Sequence, residues 1–189
     1  MSYWTYTDLF EEPGPPDRPF HGGFGLMSKD GVRKPAWFAY RYLHALQGRE
    51  LPCSDACTWA SASDDGGVQA VVWDGRAVDM GTLSNRPFFG APRPAGAAAH
   101  ATLQLAHLRP GRYRLQVRRT GFEANDAQTA WLRMGSPEAL NAQQLERLQG
   151  LTADRPEVDR VLNVGRDGRA EITLALRAHD VLGLSLQRA

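Results

Sequence analysis

Lysine is nearly absent from this 189-residue chain: Lys29 and Lys34 are the only two, and the other 20 of the 22 basic residues are arginine. With alanine abundant as well, that bias reads as a GC-rich coding sequence and not as a phosphate-binding surface. A surplus of charge is also missing, since 22 basic residues face 21 acidic ones for a net +1. The usual electrostatic case for nucleic acid or an anionic membrane as partner therefore falls away. Cysteine is scarce. Cys53 and Cys57 stand in a C-x3-C spacing with no second Cys/His pair nearby, so two free or buried thiols are expected and no zinc site. No apolar run reaches the roughly 18 residues a membrane-spanning helix needs. Met1 is followed at once by Ser2-Tyr3-Trp4-Thr5-Tyr6-Thr7, with neither a basic n-region nor an apolar h-region, so no signal peptide is visible and a cytoplasmic location is favoured. The chain also lacks the length of a complete (β/α)8 barrel, which takes ~250 residues. What is present is ordinary for a packed domain: 42% hydrophobic and 23% charged residues. Uncharged sugars and proteins stay open as partners.

Composition shifts near residue 48, and a domain boundary is expected there. Before it the chain is rich in aromatics, among them Tyr3, Trp4, Tyr6, Phe10, Phe20, Phe24, Trp37 and Phe38. Residues 2–8 predict a strand, because Tyr, Trp and Thr favour the pleated backbone. Glu11-Glu12-Pro13-Gly14-Pro15-Pro16 then forces a loop that runs through Gly22-Gly23 and Gly25. Asp30-Gly31 marks a turn, Pro35 suits a first helical position, and Ala36, Ala39, Tyr40, Leu43 and Leu46 recur at helical spacing, so a helix is predicted over 36–47 with Gly48 as its stop. Strand, long loop and helix make one βα step.

After residue 48 the pattern is that of a β-sandwich. Val68 to Trp73 reads as a strand between two Asp/Gly turns. Tyr113, Leu115 and Val117 alternate with polar residues, as do Ile172, Leu174 and Leu176, and then Leu182, Leu184 and Leu186. Clean alternation of this kind predicts packed antiparallel sheets with one wet face each. Asn141 to Gln149 is the exception, a helix with Asn141 and Gln144 as a capping box and Gly150 as its end.

The long loop is the best place for chemistry, since loops at the C-terminal ends of barrel strands build active sites. It holds Trp4, Asp8, Phe10, Glu11, Glu12, Phe20 and His21. Aromatic faces with carboxylates suit a sugar, whose ring offers a C–H face and a rim of hydroxyls. Glu11 and Glu12 cannot be the two catalytic carboxylates of a glycosidase, because adjacent residues in an extended chain point to opposite faces and cannot flank one glycosidic bond. They read equally well as hydroxyl acceptors and as solvated loop acids. His21 reads as a satisfied loop histidine, and Trp4 as either core or sugar platform. No serine has a G-x-S-x-G context, and Gly22 to Gly25 lacks phosphate-loop spacing. Arg109, Arg112, Arg114, Arg118 and Arg119 read as a solvated sheet face, with an oligomer contact as the alternative.

Several blocks, in order, resemble glycoside hydrolase family 39, the β-xylosidases: Tyr3 to Asp8 with Phe10-Glu11-Glu12, Phe20-His21-Gly22-Gly23-Phe24-Gly25-Leu26, Asp30-Gly31 to Lys34-Pro35-Ala36, and Ala130-Trp131-Leu132-Arg133-Met134-Gly135-Ser136-Pro137. The resemblance implies a mainly β chain, in which residues 1–47 are the last strand, loop and helix of an incomplete (β/α)8 barrel and residues 48–189 a C-terminal β-sandwich. It implies that both catalytic glutamates lie upstream of Met1, so no catalytic residue is expected here. It implies that Trp4, Glu11, Glu12 and His21 contribute to the sugar −1 subsite, and that neither metal nor organic cofactor is needed. The implied partners are xylose or xylo-oligosaccharide, together with a second copy of the chain or the missing barrel portion. A stand-alone carbohydrate-binding or oligomerisation sandwich is the competing expectation.

Overall fold

The computed structural model describes residues 3–9, 14–76 and 90–189. In chain order these form α1 (Pro35–His44), β1 (Arg49–Leu51), β2 (Thr58–Ala62), β3 (Val68–Trp73), β4 (Ala99–Leu105), β5 (Gly111–Thr120), α2 (Ala127–Arg133), α3 (Ala142–Leu151), β6 (Val158–Val164), β7 (Ala170–Leu176) and β8 (Val181–Arg188). Six strands make one sheet in the order β1-β2-β3-β8-β5-β6, and β4 pairs with β7 in a second. The β1–β2, β2–β3, β3–β8, β5–β6 and β4–β7 pairs are antiparallel. This is the predicted sandwich. Its core is built from the residues whose alternation announced it: Tyr113, Leu115 and Val117 of β5, Ile172 and Leu174 of β7, and Leu182, Leu184 and Leu186 of β8, joined by Val68, Ala70 and Val72 of β3.

The packing falls into two units, each discontinuous in sequence. One comprises residues 1–38, 77–94 and 120–154, and the other residues 39–76, 95–119 and 155–189. The second holds the sandwich. In the first, Phe20 and Val32 from the N-terminal region share a core with Ala127 and Trp131 of α2 and Leu148 of α3. Packing therefore partitions the molecule differently from chain order.

Three local expectations differ from what is observed. Residues 3–9 do not form a strand; they make a single parallel bridge, Thr7 to Met27. A parallel strand is stabilised by ladders on its flanks, and here one irregular segment supplies the pairing. Helix α2 was not anticipated, because its seven residues span only two turns and give the helical period little room to register. Its signal was the cap: the Asp126 side chain accepts a hydrogen bond from Thr129 N at 3.1 Å. Finally, α3 begins with the expected Asn141/Gln144 capping box but runs through Gly150 to Leu151, with Thr152 as its C-cap. The α1 helix likewise stops at His44, short of Gly48.

Two arginines of β5, Arg114 and Arg119, are paired with acids rather than merely solvated. Arg114 Nε and Nη2 donate to the two oxygens of Asp159 on β6, at 2.8 and 2.6 Å, and Gln116 adds a third donor at 2.9 Å. Those donors hold the Asp159 carboxyl down at about 2. Arg119 grips Glu157 with both arms at 2.8 Å and also pairs with the buried Asp180.

Two measurements follow from this packing. Leu184→Ala, at a residue 3% exposed in the core, is expected to cost about 2–5 kcal/mol in urea unfolding. A carboxyl held low in the folded state contributes stability above the unfolded value and loses it as pH falls through the folded one. The Asp159 carboxyl signal in NMR should therefore titrate near about 2, and move up toward the ordinary carboxylate range in Arg114→Gln.

Candidate functional site

The N-terminal segment is laid against residues 26–27 by backbone hydrogen bonds: Leu26 N to Thr5 O at 3.1 Å, Met27 N to Tyr6 O at 3.1 Å and Asp8 N to Met27 O at 3.0 Å. The chain then turns at Asp30-Gly31, as predicted, because Ser28 Oγ accepts from both Asp30 N and Val32 N at 3.2 Å. Lys34 N bonds Leu26 O at 2.9 Å, and Pro35 opens α1. This hairpin-like path returns Lys34 to Asp8.

Asp8 is the centre of the site. Its side chain is fully buried, and Lys34 Nζ stands 2.7 Å from Oδ1 as a hydrogen bond and 2.6 Å from Oδ2 as an ion-pair contact. Oδ1 also accepts from Gly25 N at 2.9 Å, and the same Lys34 Nζ donates to Gly23 O at 2.8 Å. Oδ2 receives no well-directed hydrogen bond; the His21 Nδ1 atom lies 3.9 Å from it. Burial pushes the Lys34 ammonium below its ordinary value, and the Asp8 carboxylate pulls it partly back. Gly25 is required by the close approach of backbone, and Gly23 is crowded by side chains. A Cβ on Gly25 would sit 2.4 Å from Asp8 N, and one on Gly23 would sit 2.5 Å from His21 Nε2 and 2.8 Å from Asp8 Oδ1. One carboxylate thus ties the Thr7–Leu9 segment, the Gly22–Gly25 turn and the start of α1 into a single corner.

Of the residues expected from sequence, Trp4 is presented openly, with 72% of its surface exposed. Tyr6 and Phe24 are exposed beside it in the chain segments that pair here, and Tyr3 Oη donates to Phe24 O at 2.6 Å. His21 lies beside Asp8, with its Nδ1 3.9 Å from Oδ2. Glu11 and Glu12, with Phe10, lie outside the described residues. Phe20 turns inward and packs on Trp131, ring centroids 5.5 Å apart. That contact brings the Trp131–Ser136 segment to the loop: a depression of about 650 Å³ is lined by Arg18, Phe20, His21, Trp131 and Ser136. Sequence reasoning noted Asp8 only as loop content and passed over Lys34. The available signal was compositional, since Lys34 is one of only two lysines in an arginine-dominated chain.

Among the described residues, no group of three or more His, Cys, Asp or Glu side chains converges as a metal site would require. Cys53 and Cys57 are free thiols. What the corner can do is present flat aromatic faces on a rigid polar base, which is the apparatus of carbohydrate recognition.

Comparison with known proteins gives the same class. The sequence model of glycosyl hydrolases family 39 matches residues 1–170. A beta-xylosidase of Caldicellulosiruptor saccharolyticus is 30% identical over 98% of this chain and 36% of its own length. Among solved structures, the GH39 enzyme from Xanthomonas axonopodis pv. citri superposes with a TM-score of 0.92 at 49% identity, covering all of this chain and 37% of that one. A monomeric beta-xylosidase from Caulobacter crescentus superposes at 0.88 with 48% identity, again over 37% of its length. The chain belongs to glycosyl hydrolases family 39, and it spans little more than a third of the relatives it matches.

Removing the buried counter-charge tests the corner directly. Asp8→Ala leaves the Lys34 ammonium buried and unpaired, and is expected to cost about 3–5 kcal/mol in urea unfolding. Asp8→Ala combined with Lys34→Met should recover a substantial part of that loss, because no orphan charge then remains.

Proposed function

We propose that this chain is the C-terminal portion of a retaining β-xylosidase, which hydrolyses terminal β-xylose from xylo-oligosaccharides. In this reading residues 1–47 are the last βα unit of the catalytic barrel and residues 48–189 its C-terminal sandwich. Helices α2 and α3, although late in sequence, support the barrel loop through the Phe20–Trp131 contact. The observation that carries the reading is the correspondence of the whole chain with 37% of a family 39 enzyme at a TM-score of 0.92. Both catalytic glutamates would lie outside the chain, one forming the glycosyl-enzyme intermediate and the other serving as acid and then base.

This chain's own residues would then build one side of the −1 subsite. Trp4, exposed and fixed at the end of the paired segment, stacks on the C–H face of the xylose ring. Glu11 and Glu12 accept its hydroxyl hydrogens, and His21 completes the rim. Asp8 and Lys34 do not touch sugar; they hold the turn that aims these groups. Hydroxyl contacts that tighten as the ring flattens would contribute to rate as well as affinity. No metal or organic cofactor is required by this chemistry.

One observation favours a second reading. The sandwich core closes entirely with residues of its own unit, as a stand-alone carbohydrate-binding or oligomerisation module would.

The test is turnover of an aryl β-xyloside by the purified chain. No release of phenol above a blank is expected. Release that vanishes in Glu11→Gln would put a catalytic carboxylate in this chain and overturn the proposal.

A further inference from the structure

The hairpin of β1 and β2 carries an aromatic surface that the reading above does not use. Trp59 of β2 keeps 46% of its surface exposed. The register sets it opposite Val71, so Trp73, two residues along β3, shares its face. The two indoles meet edge to face, centroids 5.7 Å apart and planes at 75°. An exposed tryptophan in so defined a pose presents a prepared flat surface.

Beside it opens a trough of about 390 Å³, lined by Glu50, Cys53, Asp55, Thr58 and Trp59. That volume falls in the ~300–1,000 Å³ range of small-molecule clefts. Asp55 is pinned in place, because its Oδ1 accepts the Cys57 N–H at 2.7 Å. Glu50 and Asp55 both line this space, and desolvation, helped by these two carboxylates, pushes the Cys53 thiol up. Among the described residues no lysine or arginine lines the trough, and anionic ligands are therefore disfavoured. A sugar ring fits what remains: its C–H face lies on the indole, and its hydroxyls donate to the Asp55 and Glu50 carboxylates. A quaternary ammonium ligand would call for several enclosing rings, whereas this trough is lined by a single aromatic side chain, Trp59.

We propose that the trough at Trp59 binds a β-linked xylan chain, as a second sugar-binding surface in addition to the Trp4 loop. The choice of xylose as the sugar rests on the β-xylosidase reading.

The test is native gel electrophoresis of the full chain through soluble xylan. Wild-type protein is expected to be retarded, Trp59→Ala to lose most of that retardation, and Glu50→Gln to weaken it several-fold. In Cys57→Ser, xylohexaose should slow alkylation of Cys53 several-fold, which reads the trough directly even if Trp59→Ala folds poorly. Absence of retardation in xylan, or retardation that persists in Trp59→Ala and disappears in Trp4→Ala, would overturn the trough while leaving the β-xylosidase reading intact. Protection of Cys53 by a lysine-rich peptide and not by xylohexaose would overturn it too. Turnover by the isolated chain would instead overturn the placement of both catalytic glutamates outside it, without altering the retardation.

Discussion

Taking Asp8 out of water removes the hydration of a full charge, and the N-terminal region is organised around offsetting that cost. Lys34 supplies the opposite charge at 2.6–2.7 Å, and Gly25 N supplies a directed donor. Each partner comes from a different stretch of chain, so the pair closes a loop of 25 intervening residues without a hydrophobic core of its own. A buried pair of this kind contributes little net stability compared with apolar packing, but it is costly to break from one side. Its value is geometric. With Asp8 satisfied only when the turn at Gly23–Gly25 and the start of α1 are both in place, the loop has one arrangement in which no charge is orphaned.

The sandwich rests on a different physics. Its core is largely aliphatic, closed within one packing unit, and assembled mostly from strands whose inward residues alternate. Charge pairs such as Arg114 with Asp159 sit on the outside and tune register, not burial. The two units are therefore stabilised by unlike means, and the chain passes between them more than once. A sequential boundary near residue 48 describes where composition changes, while the shared core of Phe20, Val32, Trp131 and Leu148 records which segments found each other.

Legibility followed from the range of each interaction. Strands β3, β5, β7 and β8 were readable because alternation is a local consequence of the pleat, and the α3 cap because its hydrogen bonds span three residues. The turn at Asp30-Gly31 and the helix start at Pro35 were readable for the same reason. Helix α2 escaped because two turns carry too little periodicity, and the expected strand at 2–8 failed because a strand needs a neighbour that local sequence cannot supply. In the site, Trp4 and His21 were legible as residue types in a promising loop. Asp8 and Lys34 were not, since a buried ion pair across 26 positions leaves no spacing pattern.

The amino-acid sequence by itself determined the class of fold, the positions of the turns and caps, and, through a few ordered blocks, membership of a family of glycosyl hydrolases. These depend on chemistry between near neighbours or on motifs that survive as strings. Only the tertiary structure decided which carboxylate anchors the loop, that Trp4 faces outward, that Trp131 supports Phe20, and that Trp59 stays exposed with Trp73 edge to face against it. Those outcomes depend on contacts between residues far apart in the chain, where burial and charge pairing are settled by the packing of whole elements.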